Sequence, residues 1–244
     1  MFDPFGDFET KGYLQNYEGI KDFRELKIIE HTFFEANLED AFDYLGKVKG
    51  PLKYEHFLKV HQILFSDFYP WAGKDRHQLG VANLVDKGNI QFEEAPLVQR
   101  AVEWGLAIGN DPTKMKAQPG VVMGIFAWGH PFLEGNGRTM LLVHTELCAR
   151  ANFSIDWPNS PKNDYLQKLT DELRTPDKGV LDSYLKPLIK KLPARKYWVD
   201  QIKSIPGIDG ANTEDENMAY AADDPLARKR YEEATELRKR SFDI

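Results

Sequence analysis

Apolar residues recur at spacings of three and four along most of this chain, which predicts helices, and one stretch breaks the rule. Residues 1–20 show no clear period and are expected to wrap over the domain. Over 21–45, Leu26, Ile29, Phe33 and Ala36 share a face, Phe42 and Leu45 continue it, and Gly46 with Gly50-Pro51 ends the helix. Residues 52–65 predict a second helix, with Tyr54, Phe57, Leu58, His61 and Phe65 on its stripe. Phe68-Tyr69-Pro70-Trp71-Ala72-Gly73 then reads as an aromatic turn packed on the core. The exception is 76–92, where Gln78-Leu79-Gly80-Val81 and Asn89-Ile90-Gln91-Phe92 flank a turn-rich centre, predicting a short β-hairpin.

Helical patterning resumes from Glu94 to Ile108, and Asp111-Pro112 opens a new segment. A helix from Pro119 to Trp128 is apolar nearly all round, so it is central and buried. Beyond a break, Met140, Val143, Leu147 and Ala151 mark an equally buried partner. Phe153 to Pro158 is a connector, with Trp157 in the core. Residues 161–174 and 178–191 predict two further helices, the second kinked or shortened at Pro187. A short amphipathic piece covers 194–204. Residues 207–225 read as an acidic linker or mobile loop, and 226–240 as a solvated helix at most.

Composition narrows the class. A chain of 244 residues holds one sizeable domain with a small appendage. Its net charge of −6 argues against a general nucleic-acid surface. The one cysteine, Cys148, falls among apolar helical neighbours and reads as packing, so no internal disulfide is expected, which fits a reducing compartment. The N-terminus has no basic stretch followed by an apolar core, and no apolar run approaches a membrane span. The expectation is a cytoplasmic protein that engages neither nucleic acid nor membrane, with export as an effector by leaderless routes still open.

The chemistry lies in the break, His130-Pro131-Phe132-Leu133-Glu134-Gly135-Asn136-Gly137-Arg138. Glycines there permit unusual backbone conformations and close approach to a ligand, and Asn136 can brace the loop. A helix beginning near Asn136 aims free N–H groups and its positive dipole end into the loop, which makes an anion site. Arg138 in the first helical turn is unfavourable for the dipole unless it serves a ligand, and its planar fork suits phosphate. Glu134 beside a phosphate site suits Mg²⁺, which takes one or two carboxylates together with phosphate oxygens. His130 suits a general base. His56 and His61, five apart, lack the spacing of a helical metal pair and read as satisfied histidines.

This stretch resembles the signature of the Fic family, His-Pro-Phe-x-Asp/Glu-Gly-Asn-Gly-Arg-x-x-Arg, matched at every specified position from His130 to Arg138. The Tyr69-Pro70-Trp71-Ala72-Gly73 turn is a second point of similarity. The resemblance implies a mainly α fold, a Fic-type helical bundle with a short β-hairpin flap. It implies residues 52–192 as the Fic domain, 1–51 as an N-terminal helical segment packed on it, and 193–244 as a partly mobile C-terminal extension. The implied reaction is transfer of AMP from ATP to a Tyr, Thr or Ser hydroxyl of a target protein. His130 would deprotonate the hydroxyl, Glu134 hold Mg²⁺, Gly135, Asn136 and Gly137 form the anion hole, and Arg138 hold outer phosphates. Phe132 would anchor the loop, and the flap residues Asn89, Ile90, Gln91 and Phe92 would dock an extended target segment by adding a strand.

Leu141 stands where the family has its second arginine, which leaves the nucleotide donor open. The family's inhibitory motif, Ser/Thr-x-x-x-Glu-Gly/Asn, is absent at both ends, so the resemblance predicts no restraint by the usual glutamate. Two alternatives stand beside AMP transfer: a Fic-fold transferase with another nucleotide donor, and a catalytically weak nucleotide-binding interaction module. An antitoxin partner and a homodimer stay open.

Overall fold

The apolar run that the pattern makes central is central: every residue of its helix is buried in the computed structural model, which describes residues 15–81, 84–87, 90–176, 178–208, 218–221 and 225–242. In chain order come α1 (Phe23–Ala36), α2 (Leu38–Lys47), α3 (Tyr54–Phe65), α4 (Arg76–Leu79), β1 (Leu84–Lys87), β2 (Ile90–Gln91), α5 (Val98–Gly109), α6 (Pro112–Ala117), α7 (Pro119–Gly129) and α8 (Asn136–Arg150). They are followed by β3 (Ser154–Ile155), α9 (Lys162–Arg174), α10 (Val180–Leu185), β4 (Ile189–Lys190), α11 (Trp198–Lys203), β5 (Met218–Ala221) and α12 (Pro225–Phe242). The fold is mainly helical, and α7 packs against α5, α8, α9 and α10. Gly120 permits the last contact: a β-carbon there would lie 2.3 Å from the Asp182 backbone nitrogen, and its own N–H donates to Asp182 Oδ1 at 2.6 Å.

Three expectations need correction. The helix expected over 21–45 is two helices, because Asn37 leaves helical geometry (φ −98°, ψ 3°) and its amide bonds the Phe33 carbonyl at 3.0 Å. The apolar period ran across the break because Leu38, Ala41, Phe42 and Leu45 continue to face the core. Gln78-Leu79 is not hairpin strand but helix. Asp75 and Gln78 form a reciprocal capping box that starts α4, and Gly80 ends it at φ 65°. The hairpin therefore begins later, pairing Asp86 with Gln91 and Lys87 with Ile90 in antiparallel register.

The third correction concerns the C-terminal part. Within the expected linker, Met218–Ala221 pairs antiparallel with the free edge of β1, Leu84 opposite Ala221 and Lys87 opposite Met218, giving the sheet order β2-β1-β5. Nor is the following helix merely solvated: Tyr231 and Arg238 of α12 are buried against the body of the protein. Their partners lie far away in sequence, beyond the reach of a local pattern. Among the described residues no helix is long and apolar enough to cross a membrane.

Candidate active site

The buried helix α7 delivers His130. The chain turns at that residue into left-handed geometry (φ 41°, ψ 56°), a costly conformation for a residue with a side chain. Arg76, fully buried, fixes the turn: Nε donates to the His130 carbonyl at 2.8 Å and the backbone N–H to the Pro131 carbonyl at 2.7 Å. Its Nη2 donates to the Glu93 carbonyl at 2.7 Å, which ties the end of the hairpin to the same point.

The imidazole of His130 stacks on Phe92, 3.9 Å between ring centres. Its Nε2 faces the Asn136 amide nitrogen at 3.1 Å. The Asn136 amide cannot turn over, because Oδ1 accepts the Phe132 N–H at 2.9 Å while Nδ2 donates to the Phe132 carbonyl at 2.7 Å. With an N–H donor aimed at it, His130 Nε2 is the unprotonated nitrogen of the ring, the tautomer a general base needs, with its lone pair engaged by Asn136.

The loop closes on a positive-φ Gly135 (78°), and α8 starts at Asn136 with no side chain capping its first turn. Such free N–H groups suit an anion. Behind them lies a network of charges. Glu134 Oε1 accepts the Gly135 N–H at 2.9 Å and lies 3.5 Å from Arg138 Nη2, while Oε2 takes Lys27 Nζ at 2.9 Å. Burial pushes the Glu134 carboxyl up, but Lys27 and Arg138 together outweigh burial and hold it well below the usual carboxylate range. Arg138 Nη2 also donates to Glu30 Oε2 at 2.8 Å, its guanidinium lying over the Phe65 and Phe34 rings. Glu30, 1% exposed, accepts the Tyr69 hydroxyl on its other oxygen at 2.7 Å.

His61 supports the loop from beneath. The Gly73 N–H donates to its Nδ1 at 2.8 Å, so Nε2 carries the proton and donates to the Glu134 carbonyl at 3.0 Å. Burial pushes its pKa down to about 3, which keeps the ring neutral. Phe132 stacks on the same ring at 3.7 Å.

Residues 51–148 match the Fic/DOC family. Over that stretch the chain is similar to a Fic/DOC domain. It is 36% identical over 168 residues to the protein adenylyltransferase VbhT of Bartonella schoenbuchensis, covering 64% of this chain but only 32% of VbhT's length. It is 28% identical over 153 residues to y4lH of Sinorhizobium fredii, named as a probable protein adenylyltransferase, covering 59% of this chain and 74% of y4lH. The BepC effector of Bartonella tribocorum, solved with bound AMPPNP, aligns with a TM-score of 0.58 at 15% identity, over 76% of this chain and 96% of that one. A Fic domain of Bartonella quintana with bound ADP aligns at 0.60 and 18% identity, over 75% and 94%. At those identities the two structures share the fold.

The Fic-domain fold brings His130, Glu134, Gly135, Asn136, Gly137 and Arg138 to one point. Of the flap residues, Ile90 and Gln91 form β2, Phe92 is buried against His130, and Asn89 lies outside the described residues. Leu141, in place of the second arginine, is buried in the core. Sequence reading missed Arg76, Lys27 and Glu30. Glu30 left a signal: it sits four residues from both Leu26 and Phe34, a charge in the middle of the apolar stripe of α1. Lys27 and Arg76 left none, since their partners are set by tertiary contact.

The donor set fits Mg²⁺ arriving with a phosphate ligand. Among the described residues no cluster of three His, Cys, Asp or Glu side chains forms a cage, and Mg²⁺ needs only one or two protein carboxylates beside phosphate oxygens and water.

Proposed function

We propose that this chain transfers AMP from ATP to a Tyr, Thr or Ser hydroxyl of a target protein. The observation that carries the reading is His130 Nε2, facing the Asn136 amide, held beside the uncapped first turn of α8. In the reaction, His130 Nε2 accepts the hydroxyl proton as the oxygen forms its bond to the α-phosphorus. The bond from that phosphorus to the bridging oxygen breaks, and pyrophosphate leaves. The α8 N–H groups and the Arg138 guanidinium take up charge on the phosphate oxygens. Glu134 would hold Mg²⁺, which when bound supplies positive charge to the phosphates. The adenylyltransferases VbhT and y4lH, and the nucleotide-bound relatives of the same fold, support this reading. The Fic domain is 52–192, to which α1 adds Lys27 and Glu30, with the hairpin at Ile90-Gln91 presenting the target segment.

Parallel labelling with α-³²P-ATP and γ-³²P-ATP, with Mg²⁺ and a bacterial lysate, tests it. Label is expected from the α-position only, and His130→Ala should lower it by about 100-fold or more. Label from the γ-position alone would mean phosphorylation instead. One observation favours a second reading, another nucleotide as donor: Leu141 offers the outer phosphates no charge. Label from another α-³²P-nucleotide exceeding that from ATP would select it.

A further inference from the structure

We propose that Lys27 is a built-in counter-cation of the resting site: its ammonium occupies the oxygen of Glu134 that a divalent cation would need, and must give way for that cation to bind. The proposal rests on reading Glu134 as the metal-holding carboxylate.

The two oxygens of Glu134 are not equivalent. Oε1 is committed to the loop, accepting the Gly135 N–H and lying beside Arg138. Oε2 has the Lys27 ammonium at 2.9 Å, so a metal ion that used this oxygen would meet a cation already seated. Two like charges cannot share one carboxylate oxygen closely without a large Coulomb cost in a partly buried site.

The ammonium has somewhere to go. Nζ also lies 4.0 Å from Glu30 Oε2, three residues further along the same helix. The Lys27 side chain is 20% exposed whereas that of Glu30 is 1% exposed, so the lysine is the partner with room to move. Glu30 Oε2 already accepts from Arg138, so rotation about the flexible lysine stem carries the ammonium off Glu134 and outward, past Glu30 toward solvent, without a change in α1. In the resting arrangement two cations, Lys27 and Arg138, face two anions, Glu30 and Glu134. An incoming divalent ion breaks that balance unless phosphates come with it. Lys27 therefore opposes metal alone and admits metal with nucleotide. It belongs to α1, outside the 51–148 match, so family membership alone does not supply it.

The test is Mn²⁺ binding to the full chain, read by electron paramagnetic resonance of the free ion, with and without a non-hydrolysable ATP analogue. Lys27→Met should bind Mn²⁺ about tenfold more tightly than the parent without nucleotide, consistent with the strength of a charge-assisted contact. Lys27→Arg, which keeps the charge, should behave like the parent, and Glu134→Gln should lose Mn²⁺ binding in every background. Lys27→Gln repeats the comparison with a second neutral side chain should Lys27→Met fold poorly. A purely structural lysine would lower thermal stability and leave Mn²⁺ affinity unchanged. Unchanged or weaker binding in the neutral variants, with Glu134→Gln still abolishing it, overturns the role of Lys27 and leaves Glu134 as the ligand. Unchanged binding in Glu134→Gln overturns both.

Discussion

A β-carbon added at Gly135 would lie 2.5 Å from the Phe65 ring, on a backbone with φ of 78°, whereas one added at Gly137 would meet nothing within 4 Å. Two glycines of one loop are thus required for different reasons. Gly135→Ala should lower stability by about 1–3 kcal/mol in urea unfolding, through backbone strain and overpacking. Gly137→Ala should leave the urea midpoint unchanged or slightly higher, since alanine is the better helix former. Its methyl group would instead stand in the anion site, and calorimetry should show nucleotide binding weakened by about tenfold or more, for lost backbone hydrogen bonds to charge. Glu30→Gln should cost about 3 kcal/mol in the same unfolding experiment, because it strips Arg138 of a buried partner. The glycines, Asn136 and His130 were legible in sequence because their chemistry is local to nine residues. Lys27 was not, and Glu30 showed only as a charge in an apolar stripe, because what gives them meaning is a contact more than a hundred positions away.

At the scale of elements, the helices were legible and their interruptions less so. Periodicity reports which face is buried, and it carried straight across Asn37 because α1 and α2 bury the same side of the chain. The capping box at Asp75 and Gln78 is a local signal that outweighed strand-like neighbours. The pairing of β5 with β1 has no local signal at all. Around it α12 is tied in further: the Tyr231 hydroxyl donates to buried Glu93 at 2.5 Å, Arg228 pairs with Glu94 at 3.1 Å, and the Arg238 guanidinium lies 4.3 Å from the centre of the Trp128 ring. Glu93 follows Phe92 and Trp128 precedes His130 by two positions, so α12 braces both sides of the base. Removal of 218–244 should speed amide exchange at Leu84–Lys87 and red-shift tryptophan emission as Trp128 meets water, with exchange elsewhere in α7 little changed. Tyr231→Phe should cost about 1–3 kcal/mol, since it leaves a buried carboxylate short of a donor.

For the whole molecule, two buried histidines set the acid limit. Burial pushes His61 down to about 3 and His144 down to about 4. Unfolded, both would bind protons near pH 6.5, so on acidification the unfolded state binds more protons than the folded state and stability falls. Their contribution is whole above about pH 6.5 and is lost as the pH drops toward about 4 for His144 and about 3 for His61. His144→Gln should flatten the acid limb of the stability curve relative to the parent, by up to about 3 kcal/mol at pH 4. The site also depends on chain outside the 51–148 match, since Glu30 and Lys27 come from α1 and the brace on Trp128 from α12. A fragment cut to 51–148 would leave Arg138 without Glu30 and should not bind nucleotide as the full chain does.

The rigid amide of Asn136 has a consequence for turnover. It offers hydrogen to His130 Nε2, which welcomes a ring that has yet to act. Once the ring has taken a proton there, two N–H groups point at each other, and Asn136 cannot rotate to oblige because Phe132 holds both of its ends. The spent form of the base is thus the uncomfortable one. In the proposed reaction the loop therefore disfavours keeping the proton on the ring and favours its return to solvent before the next target.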